Sequence, residues 1–389
     1  MKIAMFGGSF NPPHLGHVEA ARSVVSLLQP DRLLIMPTSI SPHKVMAEDT
    51  PSPDVRKHLC EMAFAEIEQA EVSDLEMRRE GRSYTADTLI QLKKLYPEDT
   101  LVLVMGTDMI LSLENWSRPE TIMELADIAV LLRGVDEDDR VRSHIAYLCE
   151  TYGARITLLE AGVYPAASTD VRNSLKQGGG SGLLAEPVYE YIIRNRLYGA
   201  KADLDWLREK AHAMLKPKRI PHVVGCEQEA GRLAERWGED VYDAAAAGIL
   251  HDITKKLTTA EQLILCDKYG IIIDMSVAGT DKTLHQITGA AVAYHEFGVS
   301  GKIRDAIRWH TTGKPKMTCL EKIIYLADYI EPNRCFDGVE RIRALSYESL
   351  DAAMEDGLRM TMEELTSRGN PILEVSAQAY EWFKSRREG

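Results

Sequence analysis

The chain lacks several features that would narrow its role. It has no Cys-x-x-Cys pair. Its six cysteines, Cys60, Cys149, Cys226, Cys266, Cys319 and Cys335, are scattered over 389 residues. This pattern suits reduced thiols in a cytoplasm and argues against a disulfide framework. No apolar run approaches the ~20 residues needed to span a membrane. Met1–Phe6 reads as a strand, not as the apolar region of a signal peptide. Positive charge is in deficit, 46 Lys and Arg against 59 Asp and Glu, a net charge of −13. That balance argues against general affinity for DNA or RNA phosphates but leaves local nucleotide sites open. No repeat relates the two halves. The remainder is ordinary globular composition, 45% hydrophobic and 27% charged. The length exceeds one ordinary core, so two domains are expected.

The most informative stretch is Gly7-Gly8-Ser9-Phe10-Asn11-Pro12-Pro13-His14-Leu15-Gly16-His17. An apolar strand precedes it, and Val18–Leu28 reads as a helix. Glycines let backbone approach an anion closely, and a helix start offers N–H groups and a partial positive charge. Two imidazoles three residues apart, His14 and His17, add donors for phosphate. Neither a Walker A nor a dinucleotide-binding pattern fits. No Gly-Lys-Ser/Thr follows the turn, and there is no third spaced glycine.

Strand-like runs at Arg32–Pro37, Thr100–Met105, Ile128–Leu132 and Ile156–Leu159 alternate with helical stretches. The latter are Pro53–Gln69, Thr85–Tyr96, Arg118–Leu125 and Arg140–Tyr152. This alternation predicts an α/β doubly wound parallel sheet, Rossmann-like, with ligands at the carboxyl ends of the strands. From Asp203 the character changes to amphipathic helices, predicting an all-α second domain. The expected boundaries are 1–199 and 203–389, joined near Gly199-Ala200-Lys201. Gly178-Gly179-Gly180-Ser181-Gly182 reads as a flexible loop.

Four further segments bear on the first site: Pro42-His43-Lys44, Ser83-Tyr84-Thr85, Gly106-Thr107-Asp108 followed by Trp116, and Ser168-Thr169-Asp170-Val171-Arg172. Each has a plainer reading. Trp116 alone suits a core, Asp108 and Ser168-Thr169 suit helix caps, and Arg172 suits a surface. Their joint order resembles the H-x-G-H nucleotidyltransferases, and within them the nicotinate mononucleotide adenylyltransferases, over Met1 to about Tyr198. The resemblance implies that Gly7, Gly8, Ser9, Phe10, His14 and His17 hold ATP and that Lys44 binds phosphate. It places Tyr84, Thr85 and Trp116 around the nicotinate ring and its carboxylate, has Asp108 hold the ATP ribose or help order the site, and puts Gly106 among the residues that bind substrate or ATP. It assigns Ser168, Thr169 and Arg172 to the β/γ-phosphates, with Mg²⁺ bridging the triphosphate. His14, His17, Lys44 and Arg172 are the implied catalytic groups.

The second half carries His222, His251-Asp252, His285, His310 and Asp328 on separate helices. A lone His-Asp pair on an apolar helix is usually structural. Imidazoles and carboxylates in this number suit divalent metal, and six exceed what one open catalytic metal takes from the protein. Two metals sharing a carboxylate are therefore expected. The strings Leu250-His251-Asp252-Ile253-Thr254-Lys255, His310-Thr311-Thr312-Gly313 and Ala327-Asp328-Tyr329-Ile330-Glu331-Pro332 resemble the bacterial HD-domain family that cleaves diadenosine tetraphosphate symmetrically into two ADP. The resemblance covers roughly Leu204–Gln378. It implies that His222, His251, Asp252, His285, His310 and Asp328 ligate two transition-metal ions, iron by family habit. Asp252 would bridge the ions and be catalytic. Lys255, Thr311 and Arg334 are candidate phosphate contacts, with a solvated charge on a helix as the plainer reading of Lys255.

The expected ligands are ATP, nicotinate mononucleotide and diadenosine tetraphosphate, with no nucleic acid and no membrane. A more general nucleotidase, or a non-catalytic nucleotide-binding module, stays open for the second half. Oligomeric state stays open, a homo-oligomer included.

Overall fold

Ile3, Ala4, Met5 and Phe6 are all buried because their strand, β1 (Lys2–Gly8), lies in the middle of a sheet covered on both faces. The computed structural model describes residues 1–39, 47–79, 81, 83–132, 138–160, 166–273 and 281–388. It divides into two compact units, Met1–Lys201 and Ala202–Gly389.

In the first unit α1 (Leu15–Leu28), β2 (Arg32–Pro37), α2 (Pro53–Phe64), β3 (Ala70–Val72), α3 (Thr85–Leu95) and β4 (Thr100–Gly106) follow β1. They are succeeded by α4 (Thr107–Ile110), α5 (Pro119–Leu125), β5 (Asp127–Leu132), α6 (Asp138–Tyr152), β6 (Ile156–Glu160), α7 (Ser168–Lys176) and α8 (Glu186–Arg194). The sheet order is β3-β2-β1-β4-β5-β6, and every pairing is parallel. Met5 pairs with Leu34 on one side and Leu103 on the other. The strand order reverses between β1 and β4, and a crevice opens beyond their carboxyl ends at such a point. Alternation along β1 sends Ile3 and Met5 into a core with Leu89, Ile122 and Val141 of α3, α5 and α6. Phe6 turns the other way, toward Phe10, which stacks edge-on against Phe64 of α2.

The doubly wound parallel sheet agrees with the sequence reading; several details differ. The edge strand β3 went unread, and α2 stops at Phe64, five residues before the expected end. Gly178–Gly182 is a helix stop. Gly179 N–H donates to Ser174 O at 2.9 Å, Gly180 takes φ +87°, and Ser181–Leu183 form one 3₁₀ turn.

The second unit is helical: α9 (Leu204–Met214), α10 (Ile220–Trp237), α11 (Val241–Leu250), α12 (Thr259–Lys268), α13 (Asp281–Glu296), α14 (Gly301–Arg308), α15 (Cys319–Ile330), α16 (Val339–Glu348), α17 (Leu350–Ser367) and α18 (Glu374–Glu388). Ala244 to Leu250 are buried without interruption, so α11 is the central helix, apolar all round. Small residues let α10 lie close against it. A Cβ on Gly248 would meet Glu227 Cα at 2.8 Å. Thr258–Glu261 and Thr318–Glu321 capping boxes start α12 and α15. The first of these helices to carry a candidate ligand is α10, with His222 in its first turn. No described helix is long and apolar enough to cross a membrane.

Candidate active sites

The first site is a cleft of about 1520 Å³, its open mouth included, at the reversal between β1 and β4. The turn after β1 forms its floor through Gly7, Gly8 and Ser9. His14 and His17 line one wall, at the start of α1. Gly106 and Asp108, at the end of β4, line another. Ser168, Thr169 and Arg172 come from the first turn of α7. Helix α7 is tied directly to the glycine turn. Arg172 Nη1 donates to Asn11 O at 2.6 Å, and Ser168 Oγ donates to Pro12 O at 3.1 Å. Two anion-favouring helix starts therefore face one cleft.

The imidazoles are held in a defined state. His14 N–H donates to His17 Nδ1 at 3.2 Å, and the rings lie 3.8 Å apart centroid to centroid. An accepting Nδ1 leaves the ring proton of neutral His17 on Nε2, where it is a donor. Phe10 lies beneath the turn, fully buried. Its ring fills the space where a Cβ on Gly8 would sit, 3.1 Å away. It supports the floor and does not line the cleft.

A second cavity shares Gly7, Gly8, Ser9, Met109 and Trp116 with the cleft and continues to Ser83, Thr85, Glu76 and Thr38. Thr85 opens α3; Tyr84, its N-cap, is not among the lining residues. Trp116 Nε1 donates to Ser112 Oγ at 3.4 Å, which fixes the indole as a wall between the two spaces. Lys44 lies outside the described residues.

In the second unit four imidazoles and two carboxylates converge. His222 Nε2 is 3.2 Å from His251 Nε2 and 3.0 Å from Asp328 Oδ1. His285 Nε2 is 3.1 Å from His310 Nε2 and 3.3 Å from Asp252 Oδ1. Asp252 Oδ2 is 3.3 Å from His251 Nε2, so this carboxylate faces both imidazole pairs. His222, His251 and Asp328 form one compact donor group, and His251, Asp252 and His310 another.

The donor chemistry fits divalent metal. His251 Nδ1–H donates to Gly248 O at 2.7 Å, and His310 Nδ1–H to Ile307 O at 2.7 Å. His222 Nδ1 lies 3.1 Å from Glu331 Oε1, a carboxylate that can only accept. In the neutral form of all three rings it is therefore Nε2 that carries the lone pair and faces the centre, as a metal requires. Burial pushes His285 down to about 4 and lowers His310, so both stay neutral. Burial alone would raise Asp252 and lower His251, but their mutual attraction holds Asp252 well below the usual carboxylate range and His251 well above the usual imidazole range.

Comparison with known proteins gives each half a family. The cytidylyltransferase-like family model matches residues 5–173, and the HD domain model matches residues 219–333. A probable nicotinate-nucleotide adenylyltransferase of Lachnoclostridium phytofermentans is 34% identical over 198 residues, covering 51% of this chain and 98% of that protein. The symmetrical bis(5'-nucleosyl)-tetraphosphatase of Bacillus subtilis is 38% identical over 186 residues, covering 46% of this chain and 98% of its own. The chain belongs to both families, one in each half. A solved Clostridium acetobutylicum structure, described as a predicted HD superfamily hydrolase involved in NAD metabolism, is 32% identical. It covers 48% of this chain and 100% of that one, with a TM-score of 0.46.

Within this adenylyltransferase and HD-domain pair, several residues next to the sites escaped the sequence reading. Arg56 is fully buried on α2, donating through Nη1 to Ser9 O (2.8 Å) and Nη2 to Ser39 O (3.0 Å). It braces the phosphate-side turn from behind. The available signal was a cation inside the apolar stripe Arg56, Leu59, Cys60, Ala63. Glu76, in the second cavity, accepts from Thr88 Oγ1 at 2.8 Å, and burial raises its carboxyl above the usual range.

In the HD half, Glu331 orients His222, and Asn333 N–H fixes Glu331 Oε2 at 2.7 Å. Arg219 Nε donates to Asp252 Oδ2 at 2.6 Å. Of the three implied phosphate contacts, Lys255 Nζ sits 3.2 Å from Asp252 Oδ1. Arg334 Nη2 donates to Asp328 Oδ1 at 2.7 Å, and Thr311 Oγ1 lies 3.4 Å from His285 Nε2.

Proposed function

We propose that the first half transfers the adenylyl group of ATP to nicotinate mononucleotide and that the second half hydrolyses diadenosine tetraphosphate to two ADP. In the first reaction a phosphate oxygen of the mononucleotide attacks the α-phosphorus of ATP. The new P–O bond forms as the α–β bridging bond breaks, and pyrophosphate leaves with the electron pair. Such a transfer needs positioning and charge neutralisation, not a protein nucleophile. His17 Nε2–H, Arg172 and the first turn of α7 supply donors on one side of the cleft; His14 stacks behind His17. Lys44 adds a phosphate contact. Mg²⁺ arrives with ATP and spreads the triphosphate charge. The mononucleotide takes the second cavity, where the start of α3 at Thr85 favours a carboxylate over an amide. The observation carrying this reading is the Arg172–Asn11 tie, which joins the α7 start to the glycine turn.

In the second half His222, His251, His285, His310, Asp252 and Asp328 would hold two transition-metal ions, iron by family, with Asp252 shared. The ions would supply Lewis acidity at phosphate and lower the pKa of water. A water oxygen forms the new bond at an inner phosphorus, the central bridging oxygen departs with the second ADP, and the protons pass to solvent. The three fixed imidazole tautomers carry this reading. We place the boundary between the activities at 199–203.

One product assay tests both halves. The intact protein is incubated with ATP and nicotinate mononucleotide, then with diadenosine tetraphosphate, and the products are resolved. Nicotinate adenine dinucleotide with pyrophosphate, and ADP alone, are expected. AMP plus ATP would reject symmetrical cleavage. Equal use of nicotinamide mononucleotide would reject the acid preference.

A further inference from the structure

Beside the candidate metal-ligand cluster lies an open pocket of about 660 Å³, its open mouth included, with an unusual lining: Leu215, Lys216, Lys218, Arg219, Lys255 and Lys256. Five of these six are cations, and none of the described lining residues is acidic, in a chain whose net charge is −13. Three of the cations have partners: Lys256 donates to Ala213 O at 3.0 Å, and Arg219 and Lys255 pair with the Asp252 carboxylate. Lys216 and Lys218 are exposed and make no ion pair among the described residues. Such a concentration of like charge repels itself unless an anion of several charges occupies the space.

The cavity adjoins the ligand cluster through two of its wall residues. Arg219 and Lys255 belong to its wall, and each also reaches one oxygen of the buried Asp252, at 2.6 Å and 3.2 Å. Lys216 is the N-cap of the one-turn 3₁₀ helix Pro217–Arg219, so three of the cations come from one short segment. An anion held here starts where the cluster ends.

We propose that this basic cavity is a polyphosphate subsite, in which Lys216 and Lys218 seat the two phosphates of the departing ADP. The inference rests on the tetraphosphate reading of the second half and deepens it. An extended chain with one inner phosphate at the ligand cluster places its other two phosphates in the cavity. The charge that appears on the leaving oxygen falls beside Lys255 and Arg219. A substrate lacking that second pair of phosphates leaves the lysines unused.

The test uses the full-length, metal-loaded protein carrying Arg172→Ala, so that the first site contributes little triphosphate binding. Lys216→Ala/Lys218→Ala and the charge-reversing Lys216→Glu/Lys218→Glu are compared with this parent. Three readouts are taken: KM and kcat for diadenosine tetraphosphate, kcat/KM for p-nitrophenyl phosphate, and binding of inorganic tripolyphosphate by calorimetry. The expected result is a rise of about tenfold in KM for the tetraphosphate with the alanine pair, larger with the glutamate pair. The tetraphosphate to p-nitrophenyl phosphate ratio of kcat/KM should fall at least tenfold, and tripolyphosphate binding should weaken in parallel. Values within twofold of the parent in all three would overturn the proposal. Weaker tripolyphosphate binding with unaltered tetraphosphate kinetics would also overturn it, because the cavity would then serve free polyphosphate. If the parent itself leaves the tetraphosphate uncut while the variants lose tripolyphosphate, the anion subsite stands and the substrate assignment falls.

Discussion

Arg172 and Asn11 are 161 positions apart, yet the guanidinium Nη1 of one donates to the backbone oxygen of the other at 2.6 Å. A second arm, Nη2, reaches Thr169 Oγ1 at 3.2 Å. One side chain thus joins the first turn of α7 to the glycine turn after β1, with its remaining donors facing the cleft.

Replacing Arg172 with Ala removes both the tie and a phosphate donor. Adenylyl transfer should fall about 10²–10³-fold in kcat, the usual cost of one preorganised donor to transition-state charge. Arg172→Lys keeps the charge but loses the fork and should recover little of it. Tetraphosphate hydrolysis by the same protein should match wild type. Steady-state assays of both activities on one preparation check this, and a near-normal transfer rate would remove Arg172 from the site.

Glu331 tests the orientation of His222. Glu331→Gln keeps an acceptor for Nδ1–H but removes the charge that makes the imidazole a better ligand. Metal affinity should drop about 10–100-fold, as for other partners of ligating histidines. Competition against a chromophoric chelator reads this directly, and unchanged affinity would make the His222–Glu331 contact incidental.

Gly248 is a prediction about packing. A methyl group there would meet the Glu227 backbone at 2.8–3.1 Å, and the contact is helix backbone, which cannot swing aside. Gly248→Ala should cost about 1–3 kcal/mol by forcing α11 away from α10. Because Gly248 O accepts from His251 Nδ1, the shift should also lower the metal content. Thermal unfolding and elemental analysis of the variant are the measurements.

The two activities should part on metal removal. A chelator selective for transition metals, with Mg²⁺ in excess, should abolish tetraphosphate hydrolysis and leave adenylyl transfer intact. Adding the divalent ion back should restore hydrolysis. Loss of both activities together would mean that the ligand cluster serves the whole chain.

Legibility in the sequence followed the range of the forces involved. The turn after β1 was readable because glycines, histidines and the flanking strand and helix are contiguous. The apolar runs of β4 and β5 were readable because both faces of the sheet are covered. The three-residue strand β3 has no period to detect. Pro221 does not interrupt α10, because in the first turn its absent N–H costs nothing. Glu331 is 109 positions from His222 and Arg56 is 47 from Ser9. Only the folded chain brings either to its partner, so their roles could not be read from local pattern. The six clustered His and Asp residues were nameable, but the tautomers that make their lone pairs converge were not.

Two of those three tautomers are fixed by backbone. Gly248 O and Ile307 O are carbonyls near the ends of α11 and α14, in the last turns where helix carbonyls lack an intrahelical partner. No side-chain substitution at either position deletes a backbone oxygen, so the orientation of His251 and His310 is inherited from the helix ends themselves. Of the three acceptors, only the Glu331 carboxylate can be removed by a side-chain substitution. The geometry of the cluster is consequently a property of the fold itself, and on the proposed metal reading an apoprotein should take up divalent ions without passing through an unfolded state.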